Sequence, residues 1–240
     1  MSKTKIDWTE KSWNPVTGCT KVSAGCKNCY AEVIAKRFWK DRKFTDLTLH
    51  TDRLEQLLHW RKPSMIFVNS MSDLFHESVE FWFIDMVFAT IELKPQHIFQ
   101  ILTKRPERAI KYFEWRLSQY PQTYDNVWQG VSVENDNEKH RIETLKQIPA
   151  AVKWVSFEPL IGRINYLDLK GIDWVVVGAE SGHGARSMDL DWARDIKFYA
   201  DKYKIPFFMK QICKNGHKIP FNEFPNDLQI REYPQGVING

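Results

Sequence analysis

The chain of 240 residues has no apolar run approaching the roughly 20 residues that cross a bilayer as a helix. Its opening, MSKTKIDWTEKSWNP, lacks the apolar stretch of a secretory signal. There is no low-complexity tract, no repeat at a fixed period and no Gly/Ser linker. Cysteine is scarce, with four in all, and no histidine precedes His50. These absences argue against a membrane span, a solenoid and a secreted disulfide scaffold. They point to a cytoplasmic protein that needs no membrane, where thiols stay reduced. Cysteines close in sequence then suggest metal binding before disulfides.

What is present suits a packed core. Hydrophobic residues make up 43% of the chain, with ten Trp and fifteen Phe, so long disorder is not expected. The net charge of +4 is compatible with an anionic substrate, but many ordinary enzymes share it. The length suits one domain over 1–240, with 212–240 as a C-terminal tail.

Short β-type runs alternate with helical stretches. The strand candidates are 65–70, 97–103, 126–134, 152–158, 173–180 and 205–211, with a weaker one near Trp8–Trp13. Several are almost continuously apolar, as in parallel strands covered on both faces. Helix candidates lie between them: YAEVIAKRFWK, TDRLEQLLHW with Thr51 as cap, VEFWFIDMVFATIEL apolar on more than one face, PERAIKYFEWRLSQ with Pro106 at its first position, NEKHRIETLKQI and LDWARDIKFYADKY. The link 159–172 is too short for a full helix. The alternation predicts an α/β fold with parallel strands: a partial, open TIM-like barrel of (β/α)6 type, or else a doubly wound sheet.

Each strand candidate ends in polar residues, in the segments NSMSD, TKR, SVEN, FEP, GAES and KQ. Ligands of parallel α/β folds bind at the carboxyl ends of strands. Ordinary caps and loops would also place Ser, Asn and Asp there.

Cys19, Cys26 and Cys29 lie in GCTKVSAGCKNCYAE, spaced C-x6-C-x2-C just before a helix. Tetrahedral zinc needs a fourth ligand, such as Cys213 or a histidine. A [4Fe–4S] cluster held by three thiolates leaves one iron open to a small molecule. Unligated structural cysteines are the third reading. Nearby helix N–H groups, Lys21 and Lys27 would favour thiolates.

The cysteine loop and the βα units after it resemble the radical S-adenosylmethionine (radical SAM) superfamily, whose usual motif has a shorter first spacer. NPVTGCTKVSAGCKNCYAE, FVNSMSDLF, FQILTKRPER, NVWQGVSVEN, VSFEPLIG, IDWVVVGAESG and PFFMKQ together resemble the phage-associated three-Cys-motif proteins. The resemblance implies a [4Fe–4S] cluster on Cys19, Cys26 and Cys29 and S-adenosylmethionine on the open iron. It also implies an electron donor of flavodoxin or ferredoxin type and, for a phage protein, the host cytoplasm.

Tyr30 would flank the adenine. Asn69, Ser70, Ser72 and Asp73 would receive the methionine amino group, and Lys104 or Arg105 its carboxylate or a substrate phosphate. Ser132 and Glu134 would hold the ribose and amino group. Glu158 and Glu180 complete a set of carboxylates that would repel one another without a cofactor cation among them. Lys210 and Glu180 are placed at the reacting end. Cys213 is a candidate hydrogen-atom donor or a small buried hydrophobe. His183 and Arg186 are candidate substrate contacts in a Gly-rich loop. The expected substrate is a nucleic-acid base or a nucleotide, and a large duplex would need a partner protein or an open barrel side. A small-molecule substrate and a non-catalytic zinc or iron–sulfur binding module are the alternatives. The carboxylates, which would repel phosphates, argue against the binding module.

Overall fold

A computed structural model describes residues 4–120 and 124–235. Seven parallel strands form one sheet in sequential order. They are β1 Lys11–Trp13, β2 Met65–Val68, β3 Ile98–Thr103, β4 Val127–Ser132, β5 Val152–Phe157, β6 Trp174–Gly178 and β7 Phe207–Gln211. The sheet curls into an open half-barrel of the TIM-like kind. Trp8 packs edge-on against Phe67 of β2 at 4.7 Å and against Trp154 of β5 at 5.1 Å, so strands three apart share one interior side chain.

Among the described residues, six α-helices connect the strands: α1 Tyr30–Phe38, α2 Thr51–Leu58, α3 Phe81–Glu92, α4 Pro106–Gln119, α5 His140–Lys146 and α6 Leu190–Tyr203. No helix joins β5 to β6, as the short link predicts. Pro106 opens α4 as expected, because its missing N–H is one that the first turn leaves unpaired anyway. One local expectation is corrected. The N-cap of α2 is His50 rather than Thr51, and no side chain caps it. Thr48 and Leu49 first pair with Val16 and Thr17, which delays the helix until Thr51. Helix α3 buries Phe83, Ile84, Val87, Phe88 and Ile91, but turns Trp82 and Met86 outward.

The strands alternate between two cores. Ile66, Phe99, Val127, Val155, Val175 and Phe207 face the helices in the larger cluster. Met65, Phe67, Trp128, Trp154, Trp174, Val176 and Phe208 fill the concave side. Side chains switch faces with period two. The aromatic layer therefore closes the lower interior, and the next residues of the same parity stand above it at the carboxyl ends.

Residues 213–235 return to the sheet. Cys213–Lys214 pairs with His217–Lys218, and Arg231 bridges to Phe208 on β7. Trp174 donates its indole N–H to the Glu232 carbonyl at 2.9 Å, and Tyr233 stacks on the Trp174 ring. Among the described residues, no helix is long and apolar enough to cross a membrane.

Candidate active site at the strand carboxyl ends

Extending the interior parity of each strand reaches Asn69 on β2, Lys104 on β3, Ser132 and Glu134 on β4, Glu158 on β5, Glu180 on β6 and Lys210 on β7. The structure gathers these residues beneath the cysteine loop 18–29. The carboxylates do not depend on a bound cation for neutrality, which corrects the expectation of mutual repulsion. Glu134 is fully buried and pairs with Lys104 at 3.2 Å and Arg141 at 3.0 Å. Glu158 pairs with Lys210 at 2.8 Å. Glu180 pairs with Arg186 at 2.5 Å. With each carboxylate matched, the sequence argument that they would repel a phosphate loses its force.

The loop is tied down by four strand ends. From β4, Glu134 accepts a hydrogen bond from the Ser23 hydroxyl at 2.8 Å. A β-carbon on Gly25 would fall 2.3 Å from Glu134 Cγ, so only glycine lets the loop settle on this buried carboxylate. From β6, Glu180 accepts from the Asn28 amide at 2.9 Å, and Arg186 donates to the Ala24 carbonyl. From the β2 end, the Gly18 N–H bonds to the Met71 carbonyl, and the Tyr30 hydroxyl bonds to the Ser70 carbonyl at 2.7 Å. From the β3 end comes Arg105.

Arg105 is buried, not a solvated charge at a helix start. Its guanidinium pairs with Asp73 and Glu77, donates to the Thr20 carbonyl and lies 3.7 Å from Cys19 Sγ. Burial first, and then the Asp73 charge, push the Cys19 thiol up to about 11, with Arg105 pulling the other way. Asp73 spends both oxygens on the protein: on the Phe75 and Lys104 backbone N–H groups, the Thr103 hydroxyl and Arg105. It anchors the loop and caps no helix.

Asn69 has a left-handed backbone, φ 61°, which ends β2. Its side-chain oxygen accepts from the Val16 N–H, and its buried amide nitrogen has no partner among the described residues. Ser70 donates to the Asn14 side chain and Ser72 to the Val16 carbonyl. Ser132 is buried, and its carbonyl accepts from Arg141. Glu158 reaches Lys210 by passing over Gly178, where a β-carbon would lie 2.4 Å from its Oε1.

Cys26 Sγ lies 3.9 Å from the Ser23 hydroxyl, and Cys29 is the N-cap of α1 with extended backbone. All three loop thiols are partly exposed and form no disulfide. Among the described residues, no group of three or more His, Cys, Asp or Glu side chains is placed to hold a metal ion. Cys213 lies apart on its hairpin, where burial raises its pKa and Lys218 and Lys210 lower it. His183 is exposed, while Arg186 of the same loop is committed to Glu180.

Sequence reasoning missed Ser23, Asn28 and Arg141. Ser23 and Asn28 stand between the cysteines, where polar loop residues carry no distinguishing signal. Arg141 sits on a helix that only the fold brings to Glu134.

No curated protein matches the chain, and no solved structure matches it. One family model covers residues 3–227, nearly the whole length, so the chain belongs to the family described as protein of unknown function, DUF5131.

Proposed function

We propose that the protein is a radical SAM enzyme that modifies or repairs a nucleic-acid base or a nucleotide. The observation that carries the reading is the seating of a three-cysteine loop on the carboxyl ends of a parallel half-barrel, with its contacts made to strand-end side chains. The donor chemistry, though not yet the placement of the thiols, is that of a [4Fe–4S] cluster with one open iron: three thiols on one loop, with the fourth cysteine on a separate hairpin. When bound, the cluster and S-adenosylmethionine would together supply one-electron chemistry that takes a hydrogen atom from substrate and releases methionine and 5′-deoxyadenosine.

The chain's own residues orient and enclose. Cys19, Cys26 and Cys29 would hold the cluster. Asn69 offers a buried amide N–H group, a donor that suits the methionine carboxylate better than its amino group. The exposed part of Tyr30 offers a face to the adenine while its hydroxyl stays on Ser70. Lys104–Glu134 and Lys210–Glu158 are preformed pairs, so a polar ligand meets fixed dipoles and not free charges. The electron comes from a flavodoxin- or ferredoxin-type donor.

The test is anaerobic purification, metal analysis and incubation with S-adenosylmethionine and a strong reductant. A brown protein with about four irons per chain that releases 5′-deoxyadenosine is expected. Cys19→Ala, Cys26→Ala and Cys29→Ala should each lose the cluster, while Cys213→Ala should keep it. Stoichiometric zinc without iron after anaerobic reconstitution would sink the reading.

A further inference from the structure

Beside the cysteine loop lies an open cavity of about 470 Å³ whose lining includes Trp39, Lys40, Arg42, His50 and Arg53. That volume is within the range of sites that take nucleotide-sized ligands. The cations have neutral partners. Arg42 donates to the hydroxyls of Thr48 and Thr17, and its buried Nε has no partner among the described residues. It lies over the Trp39 ring at 3.7 Å. Arg53 donates to the Asn14 carbonyl at 2.9 Å. Asp41 is the one carboxylate on the lining, and it forms no ion pair among the described residues. This is unlike the strand-end site, where each carboxylate has its cation. Burial first, then Arg53, push the His50 pKa down, with Asp52 pulling the other way.

The cavity continues into the segment KRFWKDRK, residues 36–43, where five cations and one acid alternate with two aromatics. Lys36 is paired with Glu32, and Phe38 is 66% exposed. The Trp39 ring is covered by Arg42, and the exposed Phe38 ring has Arg37 at 5.4 Å over one face; basic residues beside such an exposed ring supply phosphate contacts and a stacking platform for an unpaired base. The site is coupled to the cysteine loop. Thr17, on the cavity wall, lies two residues before Cys19, and the Cys19 N–H bonds to the Phe44 carbonyl at 2.9 Å.

We propose that this cavity and the 36–43 segment bind a single strand of nucleic acid alongside the cysteine loop. Arg42, Arg53 and Lys40 take successive backbone phosphates, and Phe38 stacks a base. A duplex keeps its bases stacked inside and offers Phe38 none. The inference rests on the proposed nucleic-acid chemistry for its purpose, but it can be tested without that chemistry.

The experiment is anisotropy of labelled single-stranded DNA and RNA on anaerobic protein over a range of salt, with release of 5′-deoxyadenosine measured separately. Each phosphate contact contributes a slope of about −0.7 in log K against log salt on single strands. Arg53→Gln and the exposed Lys40→Gln should each reduce the slope magnitude by about 0.7 and weaken many sequences equally. Phe38→Ala should weaken binding about tenfold with the slope unchanged. A mononucleotide should compete poorly. Wild-type affinity in all three variants would overturn the site. Tight mononucleotide binding, lost in Arg53→Gln while strand binding ignores Phe38→Ala, would overturn the strand in favour of a free nucleotide. Strand binding that follows these expectations without any 5′-deoxyadenosine would support the site and refute the chemistry.

Discussion

Gly25 and Glu180 show how single residues hold the cysteine loop. Glu134 has three side-chain partners and cannot give way, so Gly25→Ala forces the loop upward. The cost should be about 1–3 kcal/mol, read as a lower Tm and, under the proposed chemistry, as fewer irons per chain. For Glu180, burial works to raise the pKa, but hydrogen bonds from Arg186 and Asn28 outweigh it and the net shift is downward from 4.5. Its folded pKa thus lies below its unfolded one. The stabilisation is complete above the ordinary carboxylate value and is lost as pH falls through the folded value. Melting curves from neutral to acid pH should show Glu180→Gln already destabilised at neutral pH. The gap to wild type should then narrow below about pH 4. A constant gap would refute the pair's role.

At the scale of elements, strand parity does most of the placing. The strand ends are legible in sequence because apolar runs stop at polar residues, and observed and expected ends agree within a residue or two. Which strand-end side chains face inward follows from the aromatic layer, since Trp128, Trp154 and Trp174 fix the phase of β4, β5 and β6. Trp154→Ala should leave a cavity under Ser156 and Glu158 and cost about 3–5 kcal/mol. Chemical denaturation measures the loss, and the midpoint should drop without a large change in slope. The partners of Lys104, Arg141, Arg186 and Lys210 are not legible in the sequence. Lys104 and Glu134 are 30 residues apart in numbering and follow the ends of adjacent strands, β3 and β4, a proximity that the pattern of one strand does not carry.

Across the whole molecule, an open half-barrel leaves two strand edges and one side of its interior to be covered. The amino-terminal Trp8 plugs the concave side, and residues 231–233 cover the outer edge of β7. Unpaired edges and exposed aromatic layers promote association between chains. Removing residues 225–240 should therefore expose Trp174 and Phe208 and produce oligomers in size-exclusion chromatography. A monodisperse monomer with unchanged Tm would show that this segment is dispensable.

The sequence alone determined the order of βα units, the parallel sheet, the missing helix between β5 and β6, and the concentration of polar residues at strand ends. Those features follow from local periodicity and from where apolar runs stop. Only the tertiary structure decided the charge state of the site. Burying Glu134 and Glu180, and partly burying Glu158, without counter-charge would be costly, and the cations that match them come from separate elements: the end of β3, α5, β7 and the loop after β6. It also decided that Arg105 and Asp73 hold the loop, and that Arg42, His50 and Arg53 share one cavity. Such groupings depend on side chains distant in sequence meeting at hydrogen-bond distance, and one-dimensional spacing does not encode them.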